Sequence, residues 1–165
     1  MKFSHTAPIQ PLSQLARIEP ATVEDLPRLV DLTTALFEIE ADFVPDRQVQ
    51  ERGLEAILEH PNRGRIFVAR TDYEIMGMVN CQFTISTAMG GFVILLEDVI
   101  VHPTFRRQGY GTRLVNYVID FAKRKDFKRI TLLTDKISDE SQAFFENLNF
   151  PHSHMIPMRL HLAGE

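Results

Sequence analysis

The spacing of apolar residues changes along the chain, and these changes predict the order of secondary structure. A short strand at 16–19 is followed by a helix ending near Glu38, in which the apolar residues recur at helical spacing. A second helix is predicted at 47–59, and the Pro-Asn-Arg-Gly sequence at 61–64 ends it.

The middle of the chain shows the alternation of apolar and polar residues that is typical of β-strands. Strands are predicted at 65–70, 75–86 and 92–101, and the last is nearly continuous in apolar residues, as in a central strand. The remaining predicted elements are a helix at 109–125, a strand at 129–134, a short helix at 141–148 and a last strand at 155–162. This order predicts an α+β fold whose largely antiparallel sheet is covered on both faces.

Composition and charge are those of an ordinary globular domain. The chain has 165 residues, 44% hydrophobic and 24% charged, so it can bury its own core. Residues 1–15 are predicted to be a tail and residues 16–165 a single domain. The single cysteine, Cys81, excludes an internal disulfide framework and a multi-cysteine metal site.

The charge balance and the absence of long apolar runs narrow the expected partners. Eighteen basic and twenty-two acidic residues give a net charge of −4, which argues against nucleic-acid binding through bulk charge. The sequence has neither an apolar run long enough to span a membrane nor the apolar core of a signal peptide. We therefore expect a cytoplasmic protein with neither a nucleic-acid nor a membrane partner.

The segment 97–112 carries the clearest chemical signal. A buried strand ends there, a short loop carries Arg106 and Arg107, and Gly109 and Gly111 open an amphipathic helix. The unpaired N–H groups and positive dipole end of a helix start attract anions, and glycine lets a phosphate approach the backbone closely. Arginine side chains add charge-assisted hydrogen bonds. The segment therefore predicts a phosphate-binding loop.

Two common nucleotide-binding motifs do not fit this loop. The dinucleotide fingerprint needs a third glycine where Leu114 stands, and its strand opens a βαβ unit rather than following an antiparallel meander. A P-loop needs a lysine that this segment lacks.

The same residues resemble the acetyl-CoA motif of the GCN5-related N-acetyltransferase (GNAT) family. Arg106-x-x-Gly109-x-Gly111 directly follows a Val-Ile-Val strand and opens a helix, and it is similar to the family's Gln/Arg-x-x-Gly-x-Gly/Ala. Upstream, residues 21–27 resemble the family's first strand–helix junction. Downstream, residues 143–150 (AFFENLNF) resemble its short helix and the ending of that helix.

The resemblance covers residues 16–162 and implies both a fold and an activity. The implied fold is a three-layer α/β/α arrangement with a mixed, mostly antiparallel sheet that is splayed between its fourth and fifth strands. The implied activity is transfer of an acetyl group from acetyl-CoA, as co-substrate, to a primary amine of a small molecule or peptide, with no metal. The amine would attack directly in a ternary complex. The sequence leaves the oligomeric state open, and homodimers are frequent in the family.

The resemblance also implies which residues bind acetyl-CoA. Backbone groups of Val99, Ile100 and Val101 would pair with the pantetheine arm as with an added strand. The amide of Val99 would also polarise the thioester carbonyl and stabilise the oxyanion. The pyrophosphate would lie on the loop and helix start, whose implied binding residues are Arg106, Arg107, Gln108, Gly109, Tyr110, Gly111 and Thr112.

Glu97 is the candidate that removes a proton from the amine. It interrupts an otherwise apolar strand, and by strict alternation it shares a face with Val99 and Val101. The alternative is that Glu97 or Asp98 is a strand-end carboxylate paired with an arginine.

Two positions depart from the family pattern. Phe145 stands where the family often has a tyrosine that protonates the leaving thiolate, and Ser138 stands where an asparagine often contacts the cofactor. Both positions are still assigned to the cofactor site. These departures leave open a second hypothesis, in which the chain is a non-catalytic acyl-CoA-binding module with a regulatory or interaction role.

Two further polar features lie outside this segment. His152 and His154 share one face of a predicted strand, but no further ligands accompany them, and we expect no metal site. An acidic patch between the first two helices favours either a cationic acceptor or a solvated helix end, and its members are Glu38, Glu40 and Asp42.

Overall fold

The computed structural model describes residues 16–39 and 44–162. The predicted tail at 1–15 and two members of the acidic patch, Glu40 and Asp42, lie outside the described residues. In chain order the elements are β1 (Arg17–Pro20), α1 (Leu26–Phe37), α2 (Arg47–Glu59), β2 (Gly64–Arg70), β3 (Ile75–Ser86), β4 (Gly91–Val101), α3 (Tyr110–Arg124), β5 (Ile130–Leu132) and α4 (Asp139–Glu146).

The chain divides after Leu133 into two compact units. That residues 16–165 form a single domain remains a prediction. The described residues of the first unit include all five strands named above, which form one sheet in the order β1-β2-β3-β4-β5. The first three neighbouring pairs are antiparallel, whereas β4 and β5 run parallel. The predicted mixed, mostly antiparallel sheet is therefore confirmed.

Alternation along the strands gives the first unit two hydrophobic cores, one on each face of the sheet. On one face, Phe67 and Met76 pack with the buried side of α3, which includes Leu114. On the other face, Val68 and Met78 pack with α1 and α2. Neighbours along a strand point to opposite faces, so this arrangement forms three layers, α/β/α, as predicted.

Local signals explain where the helices begin. Pro27 lies in the first turn of α1, where its missing N–H costs nothing. The Asp46 carboxylate caps α2 by accepting the N–H groups of Gln48 and Val49 at 3.0 and 3.2 Å. Helix α3 follows Gly109, whose φ of 83° lies in the left-handed region.

The predicted last strand at 155–162 is wrong. Within the second unit these residues have no regular secondary structure, and the side chains of Met155, Ile156, Met158 and Leu160 are exposed. Alternating apolar residues make a strand only where a neighbour pairs with them, and Pro157 removes one of the N–H donors that pairing needs. Among the described residues of the second unit, the regular secondary structure is therefore α4.

The close approach of β3 and β4 depends on a glycine at position 77. An added Cβ there would lie 2.6 Å from the Ile100 carbonyl oxygen, a backbone atom that moves only with its strand. We expect Gly77→Ala to lower the free energy of unfolding by about 1–3 kcal/mol, the usual cost of overpacking.

Gly53→Ala is the matched control, because an added Cβ in the middle of α2 meets nothing within 4 Å. This control should raise stability by up to about 1 kcal/mol through helix propensity. Urea unfolding midpoints measure both variants, and a Gly77→Ala protein as stable as the wild type would contradict the proposed role of this contact.

Candidate active site

The pairing of β4 changes partway along the strand. Its first half pairs on one edge with β3 and on the other with β5, where Ile94, Leu95 and Leu96 oppose Ile130–Leu132. Beyond Leu96, β4 continues to Val101 paired with β3 only. Among residues 16–39 and 44–133, no strand pairs with the other edge of this second half, which we call the open edge of β4.

Backbone alternation decides which groups face the open edge. His102, just past β4, donates its N–H to the Met76 carbonyl on β3 at 2.8 Å. Successive residues of an antiparallel strand point their backbone groups to opposite edges, so Ile100 also faces β3, whereas Val99 and Val101 face the open edge. The Val101 carbonyl accepts a hydrogen bond from Arg106 Nε at 3.1 Å there.

A β-bulge lies where the open edge begins. Val79 pairs with Val99 and Cys81 pairs with Leu96, so Asn80 lies opposite both Glu97 and Asp98. The bulge interrupts the strict alternation from which a shared face for Glu97, Val99 and Val101 was expected. Glu97 is exposed at this bulge.

Asp98 is held by a chain of side-chain amides that sequence reasoning missed. Asn80 Nδ2 donates to Asp98 Oδ2 at 3.0 Å, and Gln82 Nε2 donates to Asn80 Oδ1 at 2.7 Å. Partial burial raises the pKa of the Asp98 carboxyl, and the Asn80 hydrogen bond partly offsets this effect. The bonded partner of Asp98 is thus an amide rather than an arginine, whereas the same alternative for Glu97 remains a prediction.

The helix start after β4 has the backbone of an anion site. The first hydrogen bond of α3 joins Arg113 N–H to the Gly109 carbonyl at 3.1 Å, so the preceding amides, among them Gly111 and Thr112, point out of the helix end. Arg107 and Gly109 have positive φ values of 60° and 83°, and the resulting turn sets the direction of the loop into the helix.

The predicted loop residues surround this helix start. Arg106, Arg107 and Gln108 are exposed, and an added Cβ at Gly109 meets nothing within 4 Å. The Tyr110 side chain turns the other way, since it is only 1% exposed and packs in the core. Tyr110 therefore offers the helix start its backbone amide alone.

The second unit contains the two positions that depart from the family pattern. Ser138 is the N-cap of α4 and accepts the Ser141 N–H through Oγ at 3.2 Å. The Phe145 ring packs edge-on against Phe144 and Phe150, with centroids 5.0 and 6.1 Å apart. Phe145 has no hydroxyl with which to donate a proton.

Two other polar candidates, Cys81 and His152, have local surroundings of their own. Cys81 is fully buried, and burial raises the pKa of its thiol to about 12, so the thiol stays protonated. His152 Nε2 lies 2.7 Å from Glu146 Oε1. No cluster of three or more potential ligands for a metal ion occurs in the described part of the chain. Among those same residues, none of the helices is both long and apolar enough to cross a membrane.

Comparisons with known proteins match the fold and the motif. A family model described as "Acetyltransferase (GNAT) family" matches residues 27–150. The Bacillus subtilis (strain 168) protein named "Uncharacterized N-acetyltransferase YhfO" is 29% identical over 101 residues, which are 61% of this chain and 67% of that protein.

Solved structures of other proteins also match the fold of this chain. A possible acetyltransferase from Clostridium difficile 630 has a TM-score of 0.83 at 19% identity, over 91% of this chain and 99% of that one. The aminoglycoside acetyltransferase meta-AAC0020 from an uncultured soil metagenomic sample, in complex with sisomicin, has a TM-score of 0.75 at 22% identity, over 93% and 100% of the two chains. Because the family model spans most of the sequence, including the strand, loop and helix start described above, the chain belongs to the GNAT family of acetyltransferases.

Proposed function

We propose that the protein transfers an acetyl group from acetyl-CoA to a primary amine, by direct attack within a ternary complex. The observation that carries the proposal is the continuity of two binding features. The open edge of β4 offers backbone groups of Val99 and Val101, and the chain then leads through a short loop into the helix start at Gly109. An extended amide-bearing arm that ends in a diphosphate matches both features.

The helix start fits the pyrophosphate. Amides from Arg107 to Thr112 would hold it, and the positive end of the α3 dipole would favour its charge. The space beside Gly109, where an added Cβ meets no atom, supports this fit. Arg106, which donates to the Val101 carbonyl, links the loop to the open edge of β4.

The open edge fits the pantetheine arm and the thioester. Val99 and Val101 would exchange hydrogen bonds with the amides of the arm, while Ile100 keeps its bonds to β3 and packs in the core beneath α1. The Val99 N–H would then donate to the thioester carbonyl oxygen as negative charge develops on it.

A carboxylate at the β-bulge is the group that would remove a proton from the amine. A primary amine arrives as an ammonium ion and must lose a proton before it attacks. Glu97 is exposed one residue beyond the last β5-paired residue, Leu96, and next to the partly buried Asp98. We assign the removal of this proton to Glu97. Phe145 offers no O–H, and we assign the protonation of the departing thiolate to water.

The acceptor is a cationic amine. The two carboxylates at the bulge would attract and orient positive charge, and the structural neighbour in complex with sisomicin is named as an aminoglycoside acetyltransferase. Amines of this class include aminoglycosides, polyamines and peptide amines.

A second candidate is an acyl-CoA-binding module without turnover. Phe145 cannot act as an acid, and the Ser138 oxygen already serves as a helix cap. Both candidates require acetyl-CoA binding, whereas only the first releases CoA when an amine is added. A panel of spermidine, sisomicin and a lysine-containing tripeptide, read by free thiol, separates them.

Gly109→Asn tests the placement of the pyrophosphate. Asparagine tolerates the left-handed region, so the fold should persist while the new side chain fills the space beside the helix start. We expect acetyl-CoA affinity to fall about tenfold or more by calorimetric titration, a loss of about 1.4 kcal/mol per tenfold.

The matched control for Gly109 is Gly90→Asn, in the turn between β3 and β4. Gly90 also has a positive φ, 66°, and open space around it. This variant should bind acetyl-CoA as the wild type does. Equal affinities for both variants would show that the pyrophosphate lies elsewhere.

Glu97→Gln tests proton removal. Glutamine keeps the size of the side chain and cannot accept the proton, so kcat should fall about a hundredfold or more, with acetyl-CoA affinity unchanged. Glu55→Gln, at an exposed position on α2, is the control and should leave both quantities as they are. An unchanged kcat in Glu97→Gln, or a parallel loss of rate and acetyl-CoA affinity, would refute this role.

A further inference from the structure

The amide chain at the bulge holds one carboxylate in a fixed orientation. Asn80 is only 4% exposed, and it is bonded on both sides, to Gln82 through Oδ1 and to Asp98 through Nδ2. An asparagine held at both ends cannot rotate without breaking a buried hydrogen bond. The Asp98 carboxyl is therefore oriented by residues that come from a different strand.

Asp98 is a partly buried carboxylate whose bonded partner is uncharged. Within residues 16–39 and 44–133, no lysine, arginine or histidine forms an ion pair with it, and its bonded partner is the neutral Asn80. Carboxylates withdrawn from water are usually paired with a positive group, since an isolated charge there is costly. A cationic ligand would supply the positive charge that the described residues do not.

The position of Asp98 relates this carboxylate to the chemistry. It precedes Val99, whose amide faces the open edge where the thioester carbonyl is assigned, and it follows Glu97. The bulge places both carboxylates opposite the single residue Asn80. A nitrogen bound by Asp98 would therefore lie near the residue that activates the acetyl group and near the residue that takes its proton.

We propose that Asp98, held in place by Asn80 and Gln82, binds the amine that is acetylated, and that Asn80 is a positioning residue for this contact. The assignment rests on the proposed function and adds a division of labour between neighbouring carboxylates. Asp98 holds the amine through a charge-assisted N–H hydrogen bond, and Glu97 removes a proton.

Atoms and electrons balance in the proposed step. The ammonium bound to Asp98 gives one proton to Glu97, and the freed lone pair forms the N–C bond to the thioester carbon. The C–S bond then breaks and its electron pair stays on sulfur as thiolate. The nitrogen loses its second proton to water, water protonates the thiolate, and Glu97 returns its proton to solvent.

Steady-state kinetics on matched variants test whether Asp98 binds the amine while Glu97 removes its proton. The substrate is the best acceptor among spermidine, sisomicin and a lysine-containing tripeptide. Asp98→Asn should raise the KM for the amine about tenfold or more, because the amide cannot pair with the cation, and acetyl-CoA affinity should stay unchanged. Glu97→Gln should lower kcat with little change in that KM. Calorimetric titration of the amine into CoA-saturated protein gives the same comparison without turnover.

A double-mutant cycle tests the role of Asn80. Asn80→Leu should raise the amine KM several-fold to about tenfold, and it should add nothing in the Asp98→Asn background, because the contact it supports is already lost. Thr33→Val is the control for stability: it removes another buried polar bond, from Thr33 Oγ1 to the Leu29 carbonyl, on α1. It should leave the amine KM unchanged.

The results of these experiments distinguish a failure of the role of Asp98 from a failure of the proposed acetyltransferase function. If the wild type acetylates an amine and Asp98→Asn keeps its KM, or if Asn80→Leu and Asp98→Asn act additively, the role of Asp98 is wrong and the proposed function stands. A wild type that binds no acetyl-CoA and acetylates no amine overturns both. If Asp98→Asn does not fold, Asp98→Glu is the deciding variant. It keeps the negative charge, so its KM for the amine should stay within a few-fold of the wild-type value. A rise in this KM as large as that of Asn80→Leu would contradict the proposal.

Discussion

The site depends on a change in backbone pairing within one strand. Beyond Leu96, β4 keeps its hydrogen bonds to β3, and no strand among the described residues of the first unit continues β5 alongside it. Backbone N–H and C=O groups beside a hydrophobic core need partners. The Val101 carbonyl accepts from Arg106, and the outward-facing groups of Val99 and the Val101 N–H are those that the proposed ligand would pair with. Any ligand that pairs there is also directed along the strand toward the loop that opens α3.

The residues around the open edge support this geometry from several sides. Gly77 lets β3 approach the Ile100 carbonyl closely, which keeps the end of β4 fixed on its paired edge. Arg106 joins the loop to the Val101 carbonyl. The bulge at the other end brings two carboxylates to one point of the strand, one exposed and one held by an amide chain. The proposed binding surface and the two carboxylates thus come from a single strand, β4, and Asn80 on its neighbour β3 holds one of those carboxylates.

The fold was largely predictable from the spacing of apolar residues, and the details of the site were less so. Helix α2 has the predicted bounds, Arg47–Glu59, because a capping Asp46 and a following Pro61 mark its ends. The strand predicted at 155–162 failed because alternation does not reveal whether a neighbour exists. The bulge was missed because Glu97 and Asp98 read only as a polar interruption of β4, and a change of register is decided by the pairing with β3, which the sequence does not show. The Gln82–Asn80–Asp98 chain joins residues on two strands, which no local pattern shows, and the assigned cofactor and catalytic residues remain predictions.

Hydrogen exchange at the amides of Val99, Ile100 and Val101, followed by NMR with and without acetyl-CoA, shows whether a ligand pairs with the open edge of β4. If the open edge of β4 binds the pantetheine arm, acetyl-CoA slows exchange at Val99 and Val101, whose N–H groups face that edge. Exchange at Ile100 stays unchanged, because its N–H already pairs with β3. Unaltered exchange at Val99 and Val101 in the presence of saturating acetyl-CoA would contradict this binding mode.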